Sequence, residues 1–269
     1  MPSIPGLNHG PGHVNILNGI MALQIVLPDA GPYSPDPFLT YCSKTALQTE
    51  YGYGWQGAHK RQLVVIGGAT AQITDSAGSI YRFYNKSSAG LYVPAAGITN
   101  SLVQNSDGTY TETQPDGFSY RYSSGGQLSR MQTLASQRYT LLYDGGGRVT
   151  KVLDPFSRRL TYSYDGSSHI RHIIDVGGRI TTFSVDGSGN LASHTAPDGA
   201  QTNFRYDGEH KLIAHITPKG LRSSYAYDPT LGWCDKVTTP ANERTTIIYE
   251  DGTILKPAGR SGDGNTHRH

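Results

Sequence analysis

His194 and His215 stand 21 residues apart. Two imidazoles held at a fixed interval are the beginning of a metal site, which needs at least a third ligand. Asp175 and Glu209 are candidates only by proximity in the unit, and nothing in their spacing aims them at the pair. One, two and three intervals before His194, the equivalent positions hold Ile173, Val152 and Met131. The two histidines therefore read better as members of an apolar row than as ligands. His9, His13, His267 and His269 lie towards the termini. Serine, histidine and aspartate are all present, but no Gly-x-Ser-x-Gly elbow marks a nucleophile. Paired carboxylates are equally unmarked: the glutamates are Glu50, Glu112, Glu209, Glu243 and Glu250. Trp55, Tyr53 and Trp233 could stack on a sugar or a partner, or fill a core. The residues support no catalytic assignment, no cofactor and no metal, and the chain does not read as an enzyme.

The interval that relates the histidines runs through most of the chain. Tyr122, Tyr143, Tyr164, Val185, Tyr206 and Tyr227 follow one another at steps of 21, and Tyr249 comes after 22. Asp144, Asp165, Asp186, Asp207, Asp228 and Glu250 come directly after members of this series. Gly145, Gly166, Gly187 and Gly208 come next in four copies. A second series keeps the same step: Leu128, Val149, Ile170, Leu191, Leu212 and Trp233. Asp154-Pro155, Ala196-Pro197, Thr217-Pro218 and Thr239-Pro240 mark the middle of a unit, as does Asp175-Val176. Several series in one register define an internal repeat.

Within a unit, Leu160, Tyr162 and Tyr164 alternate with Thr161 and Ser163. A period of two predicts a strand with one buried face. The first half is a shorter strand around Val149 to Leu153, whose apolar positions are three apart; a β-bulge reconciles that spacing with a strand. The Asp-Gly step after the tyrosine predicts a hairpin turn built on residues that tolerate positive φ. The Pro-centred turn ends the first strand, since proline has no N–H for a ladder. Each unit is then two antiparallel strands. The fold class is all-β, an antiparallel meander of two-strand units in which neighbours share one apolar face.

Composition agrees. The 33 glycines and 15 prolines imply many turns, and the 18 tyrosines suit a half-buried pleated surface. A net charge of +2 gives no footprint for nucleic acid. The most apolar early stretch, Ile16 to Leu27, is too short for a membrane span and lacks the basic start of a signal peptide. Cys42 and Cys234 leave open either one disulfide or two small buried side chains.

The Tyr-Asp-Gly steps, Gly147-Arg148-Val149, Gly178-Arg179-Ile180 and the Asp-Pro turn resemble the YD repeats of the Rhs family. Ahead of them, Val14 with Asn18-Gly19, then Leu39-Thr40-Tyr41-Cys42-Ser43, then Gly52-Tyr53-Gly54-Trp55, is similar to the segment that opens many Rhs shells. The resemblance covers about 240 of the 269 residues. It divides the chain into an opening segment (1–60), diverged hairpins (61–121), regular repeats (122–255) and a polar tail (256–269) expected to lack fixed structure. It implies part of a spiralling β shell, secreted or displayed at a cell surface. Its implied partners are the remaining shell and a C-terminal toxin; the alternative is a free-standing module that binds a cell-surface glycan or a partner protein through Trp55 and Tyr53. The aspartate core motif and toxin of such proteins are not among these residues, which suggests a shell fragment. Twelve strands at ~4.8 Å make only about 58 Å of wall, and two open sheet edges are expected.

Overall fold

A computed structural model of the chain describes residues 7–9, 12–15, 18–28, 34, 38–45, 47–57, 59–75, 79–250 and 253–254. The expected tail lies outside them. Every regular element among these residues is a strand, and no helix is long and apolar enough to cross a membrane.

The opening segment makes its own sheet. Strands Leu7–His9, Gly12–Asn15, Ile20–Val26, Phe38–Cys42 and Trp55–Gly57 pair antiparallel in that order. A hairpin of Gln48–Thr49 and Gly52–Tyr53 precedes the last of them. Met21, Leu23, Leu39, Tyr41 and Trp55 are buried, so one face of this sheet belongs to the core.

Nineteen strands follow, from Gln62–Ile66 to Arg244–Thr246, in one continuous antiparallel sheet that closes on itself. Each strand pairs with the next in sequence, as a meander requires. The first strand is not an open edge. The Leu63 N–H donates to the Gly126 carbonyl at 3.0 Å, and Gln62 bridges Gln127. The approach is so close that a Cβ on Gly126 would lie 1.9 Å from the Leu63 oxygen. The diverged strands thus curl round until the sheet meets its own first strand.

The regular units carry the bulge that their three-residue spacing implied. Tyr122 faces Leu128 while Arg121 faces Arg130, which leaves Ser129 as the extra residue. The same shift recurs at Tyr143/Val149, Tyr164/Ile170, Val185/Leu191 and Tyr206/Leu212. The last regular pair differs by one residue. Cys234, not Trp233, stands opposite Tyr227. The turn there is longer, with Gly232 N–H rather than a residue three beyond the aspartate donating to Asp228 O.

The turns also correct one expectation. Gly145, Gly166, Gly187 and Gly208, which follow the aspartates, keep ordinary backbone angles. Positive φ falls two residues later, at Gly147, Ser168, Gly189 and His210. The Gly147 N–H donates to Asp144 O and the Asp144 N–H to Arg148 O. This is a type I turn closed by a left-handed residue, one of the common hairpin connections. The mid-unit turns repeat it, with Ser136, Ser157, Gly178, Gly199, Gly220 and Asn242 in the left-handed position.

Candidate functional site

The residues that define each repeat meet the opening segment along one seam. On the wall side, every tyrosine that opens a turn except Tyr122 reaches back 15 residues to the carbonyl of the preceding rung. Tyr164 donates to Val149 at 2.6 Å, Tyr206 to Leu191 at 2.9 Å, Tyr227 to Leu212 at 2.9 Å and Tyr249 to Cys234 at 2.8 Å. Tyr143 makes the equivalent bond to Leu128. The ring packs on the core while the hydroxyl satisfies a carbonyl at the bulge, a double duty that only tyrosine among the aromatic residues meets here. Val185 breaks the series because it has no hydroxyl.

The aspartate that follows caps its turn. Asp144 Oδ1 accepts from the Gly146 and Arg148 N–H groups, and Asp165, Asp186 and Asp207 do the same in their turns. Where arginine follows the left-handed residue, its guanidinium grips the other carboxylate oxygen: Arg148 Nε to Asp144 Oδ2 at 2.7 Å and Arg179 Nε to Asp175 Oδ2 at 2.6 Å. The Gly-Arg-Val and Gly-Arg-Ile signatures are the chemistry of these turns.

Across the seam, residues of the opening segment satisfy the rungs. Ile170 N–H donates to Glu50 O at 2.7 Å, Leu212 N–H to Tyr41 Oη at 2.8 Å and Cys234 N–H to Gly19 O at 2.9 Å. Tyr53 N–H donates to Gly189 O. Aromatic side chains enter the grooves between successive repeats. Tyr51 meets Phe183 edge-on at 5.9 Å, Trp55 meets Phe204 at 5.1 Å and donates Nε1–H to Tyr206 Oη at 2.7 Å, and Tyr41 meets Tyr206 at 6.4 Å. Burial pushes the Tyr41 and Tyr206 hydroxyls well above the ordinary phenol range.

At the far end of the seam lies a buried ion pair. Arg61 (8 % exposed) and Glu112 (0 %) form a bidentate pair, with Nε to Oε2 at 2.9 Å. Asn100 Nδ2 donates to Oε1 at 2.6 Å and Tyr122 Oη to Oε2 at 2.7 Å. The guanidinium also lies over the Tyr120 and Tyr81 rings at 4.3 and 5.0 Å. Burial alone lowers the basicity of Arg61, but the Glu112 carboxylate outweighs it and holds the proton on. Sequence reading did not find this cluster. The available signal was Glu112 on the inward side of the Tyr110/Glu112 alternation, where a charge needs a partner.

Two cavities open on the seam. One, of about 490 Å³, lies between Tyr143 and Tyr164 and is lined by Glu50, Tyr51, His59, Gln127 and Val149 among others. The second, of about 380 Å³, lies beside Trp233, Gly19, Tyr41 and His210.

The other residues singled out by type fall as follows. Trp55 is fully buried between Tyr41 and Phe204, so its ring has no face for a sugar. Tyr53 is half-buried and stacked on His210 at 3.7 Å. Trp233 lies edge-on to Tyr249 and closes against Gly19, where a Cβ would come within 2.2 Å of the tryptophan. His194 and His215 are not neighbours. The strand Gln201–Tyr206 runs between theirs, with Phe204 6.0 Å from the His194 ring and paired with His215. Burial lowers the pKa of His194 to about 4 and lowers that of His215 as well. Cys42 and Cys234 are both free thiols, and burial raises the Cys234 pKa to about 12. Among the described residues no group of three or more His, Cys, Asp or Glu is placed to hold a metal ion.

An antiparallel meander of bulged two-strand units, latched by tyrosine and capped by aspartate, defines a YD-repeat β-shell protein. A sequence model of the Teneurin YD-shell family matches residues 104–257, more than half of the chain, and the chain belongs to that family. The match begins within the stretch expected to be diverged. Among curated proteins no sequence match is found. Similar solved structures include a Tc holotoxin pore of Photorhabdus luminescens with a mutated TccC3, at 14 % identity and a TM-score of 0.38 over 88 % of this chain and 15 % of that one. A TcdB2–TccC3 structure without its hypervariable C-terminal region gives 14 % identity and 0.41 over 90 % and 15 %. The chain thus spans about 15 % of the length of those proteins.

Proposed function

We propose that the chain is a length of shell wall from a secreted or surface-displayed toxin protein, whose complete shell encloses a C-terminal effector. Its role is mechanical: it holds a continuous sheet around a protected space, and no reaction is assigned to it. The observation that carries this reading is the membership of the repeats in a family of structural shells, together with the seam that locks them to the opening segment. The opening segment (1–60) serves as inner lining, the hairpins of 61–121 as the closing turn of the wall, and the repeats of 122–255 as the wall proper. The partners are the remaining shell and the effector.

The test is to express the complete gene product and follow limited proteolysis of its C-terminal segment. Protection that is lost only when the shell unfolds supports enclosure. Cleavage as fast as that of the same segment produced alone refutes it.

A further inference from the structure

We propose that the face of the wall turned away from the core binds a sulfated polysaccharide, along a stripe of basic side chains on five neighbouring strands. These are Ser119–Tyr122, Leu128–Gln132, Arg138–Tyr143, Val149–Leu153 and Arg159–Tyr164. The register draws the stripe. Arg121 stands directly opposite Arg130, and the same row continues through Thr140 and Leu153 to Arg159. Arg138, opposite Gln132, flanks the row on one side, and Lys151, opposite Leu142, flanks it on the other. At about 4.8 Å per strand the row is roughly 19 Å long. The tyrosines of these strands all lie at the alternate positions, against the core.

The stripe has one sign. The five strands contain no aspartate or glutamate, and the turns at 123–127 and 133–137 add none. Carboxylates in the neighbouring turns are already engaged: Asp107 with Arg121, Asp144 with Arg148 at 2.7 Å and Asp154 with Arg158 at 2.5 Å. Arg130, Arg138, Lys151 and Arg159 have no carboxylate partner among the described residues. Burial and the guanidiniums of Arg138 and Arg121 lower the basicity of Arg130. Like charges set opposite each other in a sheet destabilise it, and a bound polyanion offsets that repulsion. The net charge of +2 conceals the stripe because acidic side chains collect in the turns, as at Asp144, Asp154, Asp165 and Asp175.

Geometry selects the kind of polyanion. Each of the five strands has a paired neighbour on both sides, so no sheet edge is left for a peptide backbone. Single-stranded nucleic acid binds by stacking its bases on aromatic rings, and this face of the five strands carries none. The major groove of a duplex admits a helix or a two-stranded ribbon, not the flat face of a sheet. What the stripe offers is a line of guanidinium forks, which match the paired oxygens of a sulfate as they do those of a carboxylate or phosphate. Gln132 and Thr140 place uncharged donors and acceptors among the cations, for sugar hydroxyls. The proposal stands whether or not the shell encloses an effector.

The probe is a heparin octasaccharide, titrated into the whole chain by calorimetry at about 50 mM salt. The expected result is saturable binding whose log affinity falls against log salt with a slope of about 3, as when four unpaired cations each displace a counterion. In NMR the methyl resonances of Leu142 and Leu153, which share this face with the stripe, shift on titration, while those of Val64 and Ile216, on the same face of distant strands, do not. The triple variant Arg130→Gln/Arg138→Gln/Arg159→Gln binds weaker by about tenfold or more. The matched variant Lys219→Gln/Arg222→Gln/Arg244→Gln, which removes the same charge elsewhere, binds like the unaltered chain. Should the first variant fail to fold, the methyl shifts on the unaltered chain decide. Absence of saturable binding, equal binding of desulfated heparin, or equal weakening by both variants would overturn the proposal. So would tighter binding, at the same salt, of a DNA duplex, a polyglutamate peptide or phosphatidylserine vesicles.

Discussion

Replacing Glu112 with leucine removes the carboxylate that grips the Arg61 guanidinium in a bidentate pair. What remains around that cation is the Tyr122 hydroxyl, the two tyrosine rings and Asp75, whose oxygen is 3.9 Å away. Arginine cannot escape by losing its proton. Breaking a buried pair from one side costs about 3–5 kcal/mol, because an uncompensated charge stays in the interior. Asn100 loses its acceptor as well, which places Glu112→Leu towards the upper part of that range. For a chain of this size, 1 kcal/mol moves the melting temperature by roughly 2–4 °C. The expected drop is therefore about 6–20 °C by calorimetry or far-ultraviolet dichroism, with a matching fall in the urea midpoint. The double variant Arg61→Met/Glu112→Leu removes both charges and recovers most of the loss, because two apolar residues in place of a buried ion pair are about neutral in stability. A Glu112→Leu loss below about 1 kcal/mol, or a double variant no more stable than the single, would refute the reasoning.

Other outcomes follow from the repeat chemistry. Tyr164→Phe deletes the bond to Val149 O and costs about 1–2 kcal/mol in urea unfolding, while Phe183→Tyr, which restores no such latch, gives no gain. Ser157 holds φ of 63° in a turn whose equivalents are mostly glycine, so Ser157→Gly stabilises by about 0.5–1 kcal/mol, measured in the same way. Burial holds His59 and His194 at about 4, below the usual 6.5 of an unfolded histidine. The unfolded chain therefore binds more protons between those values. Stability is full above about pH 6.5 and falls as the pH drops towards 4, and His194→Leu makes that fall shallower in a series of melts.

The strands were legible because their alternation is local. Leu160, Tyr162 and Tyr164 announce a buried face without reference to anything else in the chain. The bulge was legible as a three-residue step for the same reason. The turn residue was misplaced because the left-handed position is filled variously by glycine, serine and histidine, whereas the glycine after each aspartate forms a visible series. Trp233 was set on the rung because it keeps the 21-residue step; the longer turn from Asp228 passes the rung to Cys234. The Arg61–Glu112 pair was not legible. It joins residues 51 apart, occurs once, and belongs to no repeat. The seam itself was half legible. The opening segment resembled a known beginning, yet nothing local said that Tyr41 would reach Leu212, 171 residues later.

The central claim is that the opening segment lines the repeat wall and completes its hydrogen bonding. Native-state amide exchange at Ile170, Leu212 and Cys234 tests it most directly, since their N–H groups donate to Glu50, Tyr41 and Gly19 and not across the sheet. The account predicts that these three amides exchange only with global unfolding, as slowly as the ladder amides beside them. Fast exchange at all three, with the neighbouring ladder still protected, would contradict it.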